Sequence, residues 1–242
     1  MSRTESASTA DPSTQPAEGV AASLGVDPEA GLSAGEAARR LAEHGPNALR
    51  TTAGPSLWRR IAAQFRDPLV YLLLGASAVA FLAWLIEHEG GWPVDTIVIL
   101  AVLLVNAALG FAQENKAADA VAALGRMTQV TSSVLRAGER HRIPSIELVP
   151  GDILLLEEGD SVGADARLIA AAALRVQEAS LTGESEPVSK SPDPLAAAAP
   201  LADRTSMVFK GTAVAQGTGR AVVTATGMDT QMGAIATLLD AT

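Results

Sequence analysis

The stretch Leu181-Thr182-Gly183-Glu184-Ser185 places one carboxylate between two hydroxyl residues and directly after a glycine. A glycine lets the backbone come close to another surface. The hydroxyls can orient a water or a phosphate, and the carboxylate can take a proton from that water. Hydrolysis of a phosphate ester presented by a separate surface needs this combination. The same five residues also suit an exposed turn, so the neighbouring chain must decide between the two readings.

Bulk properties narrow the classes. The chain has 242 residues, room for one or two domains. A net charge of −9 excludes a general nucleic-acid binder. With no cysteine there is neither a disulfide framework nor a thiolate metal site. His44, His88 and His141 are scattered, so no metal-ligating set is assigned. The first residues lack a basic start followed by an apolar core, and no secretory signal is expected there.

Four regions are expected to position the motif. Residues 1–22, rich in Ser, Thr, Ala and Pro, read as a disordered tail. Residues 23–66 form an N-terminal helical unit: Ser33 and Glu36 have capping-box spacing, and Gly45-Pro46 stops that helix. Arg39-Arg40 reads as a solvated face or a membrane-surface contact. A further amphipathic helix from about Ser56 carries Trp58, Ile61 and Phe65, with Arg59, Arg60 and Arg66 among them.

Residues 67–126 read as a transmembrane hairpin with a stalk. Asp67-Pro68 is a helix start. The runs 69–86 and 96–113 carry no charge, and 18 residues of helix span about 27 Å, close to the hydrocarbon thickness. A buried core helix is the alternative, but such helices are usually striped rather than uniformly apolar. Between the runs lie only Glu87 to Asp95, with Gly90-Gly91 and Pro93 as breakers. Arg59, Arg60, Arg66, Lys116 and Arg126 all lie outside this connector, which predicts that both ends are cytoplasmic. Asn106 inside the second run serves an interhelical hydrogen bond or an ion path. The helix continues past Gln113 to a break at Gly125.

Residues 127–242 switch to short β-prone runs punctuated by glycine. A hairpin is expected over Ser133 to Ile143, turning at Ala137-Gly138-Glu139. Further strands are expected at Ile153–Leu156, Ala166–Ala170, Val208-Phe209, Thr212–Val214 and Arg220–Thr226, with a closing helix over Met232–Leu239. The fold class is therefore an α+β membrane protein: a helical unit, a two-helix hairpin with its stalk, and a mostly β domain.

The order of motifs resembles the N-terminal part of P-type cation-transporting ATPases. Val149-Pro150-Gly151-Asp152-Ile153 and Gly159-Asp160-Ser161-Val162-Gly163-Ala164-Asp165 precede the opening motif. Val208-Phe209-Lys210-Gly211-Thr212 and Thr226-Gly227-Met228-Asp229-Thr230 follow it. Gly31-Leu32-Ser33, Gly45-Pro46-Asn47 and Gln64-Phe65-Arg66-Asp67-Pro68-Leu69 add the family's N-terminal region and the entry to its first span. The similarity covers roughly residues 24–242.

That resemblance implies a pump that transfers the ATP γ-phosphate, with Mg²⁺, to an aspartate, and an actuator domain that assists its hydrolysis. Glu184 would orient and deprotonate the water, Thr182 and Ser185 would position the water or the loop, and Gly183 would allow close approach. The partners implied are the lipid bilayer at the plasma membrane, a transported cation and the remaining pump domains. Calcium is the first choice of ion, as the N-terminal unit and two spans before the actuator resemble the calcium or sodium/potassium group. Proton pumps fit less well, and the absence of Cys-x-x-Cys disfavours copper or zinc.

Three departures stand out. Gly163 replaces a usual proline, Met207 replaces an often polar residue, and no Asp-Lys-Thr-Gly-Thr phosphorylation motif occurs in the sequence. The chain is thus expected to be a fragment, inactive alone. The competing reading is a membrane-anchored interaction or regulatory module without chemistry.

Overall fold

The computed structural model describes residues 11–49, 68–87, 91–127 and 130–240. The amphipathic helix expected around Trp58 to Phe65, the Asp67 cap and part of the connector lie outside them. The chain divides into two compact units, residues 51–128 and the remainder. The larger unit is discontinuous in sequence, built from residues before and after the smaller one.

The larger unit is organised on a seven-stranded antiparallel sheet. Its strands are β1 (Thr131–Arg136), β2 (Glu139–Pro144), β3 (Ile153–Leu156), β4 (Asp165–Gln177), β5 (Val188–Ser189), β6 (Met207–Val208) and β7 (Ala213–Ala225). The order is β2-β1-β3-β7-β4-β5, with β6 also paired to β4. The expected hairpin is β1–β2, closed by Ala137 and Gly138, both at positive φ (52° and 79°). Positive φ at both central residues matches the right-handed strand twist. Two expectations are corrected. Ala166–Ala170 and the stretch after it form one 13-residue strand, bent by register shifts, and Thr212–Val214 joins Arg220–Thr226 in a single strand through Gly217 and Gly219.

Side chains alternate across the sheet and create two apolar layers. Val134, Leu154, Leu168, Ala221 and Val223 point into the main core with Leu148, Val162, Leu174 and Val176. Their neighbours Leu135, Ile153, Ile169 and Val222 point to the other face, where Val20, Ala21, Val26, Leu32 and Ala37 cover them.

Val20 and Ala21 come from α1 (Ala17–Ser23), Ala37 from α2 (Ala34–His44), and Val26 and Leu32 from the segment between them. The reading of residues 1–22 as a disordered tail is therefore corrected for 11–22; residues 1–10 lie outside the described part. Composition misled because the apolar contribution is small, only Ala17, Val20 and Ala21, yet the backbone is fastened by polar groups. Arg167, fully buried, donates to the carbonyls of Pro12, Gln15, Leu168, Pro192 and Ser206, and Ser206 Oγ donates to Ser13 O at 2.9 Å. Burial lowers the Arg167 pKa. The N-terminal region and the β-rich region thus form one unit rather than separate domains.

The α2 cap is the expected one: Ser33 Oγ accepts from Glu36 N at 3.2 Å, and Gly45 ends the helix at φ 76°. The Arg39-Arg40 pair splits. Arg39 stays at the surface between Glu36 and Glu43, whereas Arg40 turns inward and donates to Pro150 O and Leu24 O.

The smaller unit contains α3 (Pro68–Glu87) and α4 (Val94–Met127). Among the described residues one helix segment, Val94–Ala117, is long and apolar enough to cross a membrane, and Val70–Ile86 is a shorter apolar helix. The two run antiparallel: Leu73 shares a groove with Val105, Asn106 and Leu109, while Ala80 and Trp84 sit beside Trp92 to Thr96. α4 has 34 residues, about 51 Å at helical rise, and continues through Gly125, where a break was expected.

Candidate functional site: the Thr-Gly-Glu-Ser loop

The motif lies between β4 and β5 on a single helical turn, α5 (Ala179–Thr182). Glu178 precedes the turn and its carbonyl accepts from Leu181 N (2.9 Å), Thr182 N (3.0 Å) and Thr182 Oγ1 (3.1 Å). Gly183 ends it in the left-handed conformation, φ 79° and ψ −5°. A side chain at that φ would be strained, so glycine is needed for the reversal. Glu184 N then donates to Thr182 Oγ1 at 3.3 Å. The Thr182 hydroxyl is thus engaged with the loop's own backbone on both sides.

Gly183, Glu184, Ser185 and Glu186 are all exposed. Gln177 Nε2 donates to Ser185 O, and Ser180 Oγ donates to Gly211 O at 2.9 Å, tying the turn to the Lys210-Gly211 loop. The motif residues Gly183 to Ser185 face solvent. A groove of about 420 Å³ in the same unit is lined by Arg140, Leu155, Glu157, Ala171, Thr218 and Arg220 and includes no motif residue. An exposed turn cannot by itself enclose a substrate. It can be inserted into a site on another surface.

Two flanking residues escaped the sequence reading. Glu178 and Lys190 stand on either side of the loop with side chains 1% and 0% exposed, and Lys190 Nζ lies 2.6 Å from Glu178 Oε1. The approach is ionic rather than a well-aligned hydrogen bond, and Glu178 Oε2 has no hydrogen-bond partner. Lys190 Nζ also donates to Arg204 O at 3.3 Å and faces the Phe209 ring at 5.6 Å. Burial pushes the Glu178 carboxyl up and the Lys190 ammonium down, and their mutual attraction opposes both shifts. The twelve-residue spacing carries no periodic signal, so only the fold reveals the pair.

Asn47, which the sequence offered only as part of Gly45-Pro46-Asn47, is a buried centre too. It is buried, and its amide donates to Ser145 O and Gly163 O, both at 2.8 Å, while Oδ1 accepts from Lys210 Nζ and Gly227 N, both at 2.7 Å. Asp165, also buried, accepts from Lys210 N and Gln231 N; burial raises its pKa and these bonds oppose the rise.

Comparison with known proteins decides the family. Residues 126–240 match the model of the P-type ATPase actuator domain, and residues 12–80 match that of the cation transporter/ATPase N-terminus. The chain belongs to the P-type cation-transporting ATPases. It is 44% identical over 241 residues to a protein named probable cation-transporting ATPase F of Mycobacterium bovis, covering all of this chain and 26% of that protein. It is 43% identical to the cation-transporting ATPase pma1 of Synechocystis, over 91% of this chain and 24% of the relative. With a calcium-transporting ATPase of Bacillus subtilis it shares 42% identity, over 87% of this chain and 23% of the relative. The chain thus spans about a quarter of the length of the curated relatives it matches. The β-rich part of the larger unit is the actuator domain, and α1 and α2 belong to the N-terminal match.

Among the described residues, no group of three or more His, Asp or Glu is placed to hold a metal ion.

Proposed function

We propose that this chain is the N-terminal part of an ATP-driven cation pump and that its actuator loop assists hydrolysis of an aspartyl phosphate formed on other parts of that pump. The observation that carries the reading is the presentation of Glu184: an exposed carboxylate on a turn reversed by Gly183 and fixed from behind. Inserted beside an acyl phosphate, Glu184 orients a water and accepts its proton as the oxygen attacks phosphorus, releasing the aspartate carboxylate. Thr182 holds the loop, Gly183 permits the approach, and the Ser185 hydroxyl is left to help position water. ATP and Mg²⁺ act on the rest of the pump.

The transported cation is proposed to be calcium, in keeping with the names of several relatives. α3 and α4 are proposed to cross the plasma membrane as a hairpin, with the N-terminus and the actuator cytoplasmic. Their exposed apolar residues support this: Leu72, Val79, Ile86 and Leu104 are each at least 67% exposed, a surface suited to lipid. In the absence of cysteine, Gly91→Cys gives a single reactive site. An impermeant maleimide should label it in intact cells; protection there, with labelling of a cysteine in the N-terminal region, overturns the topology.

The test of Glu184 uses a full-length relative, such as the Bacillus subtilis calcium-transporting ATPase, in which this chain replaces the matching segment. Glu184→Gln should leave phosphorylation from ATP intact and slow dephosphorylation by about two to four orders of magnitude. Ser180→Ala, which loses one 2.9 Å bond, should slow it less than about tenfold. Unchanged decay of labelled phosphoenzyme in Glu184→Gln removes this residue from the mechanism.

A further inference from the structure

We infer that the buried Glu178–Lys190 ion pair is the positioning device for the Glu184 carboxylate, clamping the two stems of its loop; this rests on the reading of Glu184 given above. Besides the pair, the loop is closed by the Gln177 bond to Ser185 O, an Arg175 bond to Pro187 O at 3.0 Å and a short strand. β5 is a two-residue edge strand, paired to β4 only through Arg175↔Ser189 and Val176↔Val188. Beyond it, Lys190 N donates to Leu174 O at 2.9 Å, and the Lys190 side chain runs back to Glu178 at the opposite stem.

Glu178 is the right residue to hold. Its carbonyl receives three hydrogen bonds from Leu181 and Thr182, so its placement sets the helical turn, the turn sets Gly183, and Gly183 sets the direction of Glu184. Lys190 carries the constraint further, to Arg204 O and the Phe209 ring. The pair is not arranged for stability. A buried carboxylate oxygen without a partner is unfavourable, and buried ion pairs are often replaced by apolar residues without loss of stability. What an ion pair supplies that apolar packing does not is a close, charge-specific link between two stems.

The test compares Glu178→Met/Lys190→Met, Glu184→Gln and the triple variant in the full-length chimaera described above. The double apolar variant avoids leaving one buried charge alone. It should form phosphoenzyme at the normal rate and hydrolyse it about 10- to 100-fold more slowly, the range expected when a catalytic group is displaced by about 1 Å. In the triple variant it should add no slowing to that of Glu184→Gln, because the pair acts only through that carboxylate. Normal decay in the double variant, or slowing that multiplies with Glu184→Gln, overturns the positioning role while leaving the Glu184 reading intact. Normal decay in Glu184→Gln overturns that reading and this inference with it. In the 242-residue chain itself, the amides of Thr182 and Gly183 should exchange at least about tenfold faster in the double variant, with β3 and β7 unchanged. Unchanged exchange at the loop, or equal acceleration throughout the sheet, overturns the clamp.

Discussion

Lys210 Nζ donates to Asn47 twice, at 2.7 Å to Oδ1 and at 2.9 Å to the main-chain oxygen. One ammonium therefore fixes both the side chain and the backbone of the residue that follows Gly45-Pro46. The next residue, Gly211, accepts from Ser180 at the base of the Thr-Gly-Glu-Ser turn. A short bonded route thus joins the end of the N-terminal helical region to the loop carrying Glu184.

Asn47→Ala removes both donors and one acceptor from this junction. Ser145 O, Gly163 O and Gly227 N each lose a partner inside the fold. The expected cost is about 3 kcal/mol, given that unsatisfied buried groups cost ~1–3 kcal/mol each and partial relaxation recovers some of it. Urea unfolding of the actuator unit, followed by far-ultraviolet circular dichroism, should show the lower midpoint with an unchanged slope.

Arg167→Lys keeps a positive charge but loses the planar fork that reaches five carbonyls. Stability should fall by about 3 kcal/mol, the scale of losing charge-assisted bonds in a buried place. The loss should show first at residues 11–23, which the guanidinium fastens. Limited proteolysis should cut there in the variant well before it cuts in the parent chain.

Gly163→Ala should destabilise by about 1–3 kcal/mol through overpacking. An added Cβ would stand 2.6 Å from Ser132 Oγ and 2.7 Å from Leu148 Cδ1, beside the 2.7 Å Ser132–Ser145 hydroxyl contact. Gly163→Pro meets the same wall and should be no better tolerated, although proline is the residue that the family pattern suggests. Thermal unfolding of the two variants checks both statements; a neutral alanine would show that Ser132 and Leu148 yield.

Glu36 gives a signed dependence on pH. Hydrogen bonds from Arg39, then Arg40, hold its pKa at about 2 against an ordinary 4.5. The native state thus binds this proton less readily than the unfolded chain. The stabilisation is fully present above pH 4.5 and is lost as pH falls towards about 2. Glu36→Gln should flatten the acid limb of the stability curve over that interval and leave the slope near neutrality unchanged.

Much of this architecture is written locally in the sequence. Ser33 and Glu36 mark the α2 start, Ala137-Gly138 the hairpin, and Ile153–Leu156 a buried strand, because each depends on chemistry within a few residues. The Thr-Gly-Glu-Ser motif is legible for the same reason, since Gly183 reverses its own chain. Arg40, Asn47, Arg167, Glu178 and Lys190 were not legible as structural centres. The partners that make them centres lie 12 to 180 residues away, and no local pattern distinguishes a buried arginine from a solvated one. The tail reading of residues 11–22 failed on the same ground: what orders that segment is a guanidinium supplied by β4.

The discontinuity of the larger unit has a consequence during synthesis. Ser13 waits for Ser206, 193 residues later, and Pro12 waits for Arg167, 155 residues later. At roughly 5–20 residues per second the delay is on the order of tens of seconds. Throughout that interval Val20, Ala21, Val26 and Leu32 have no sheet to cover, and the intervening helical segment must emerge before the sheet exists. The first helices made therefore complete their packing only once β7 has been made, across a long loop of chain.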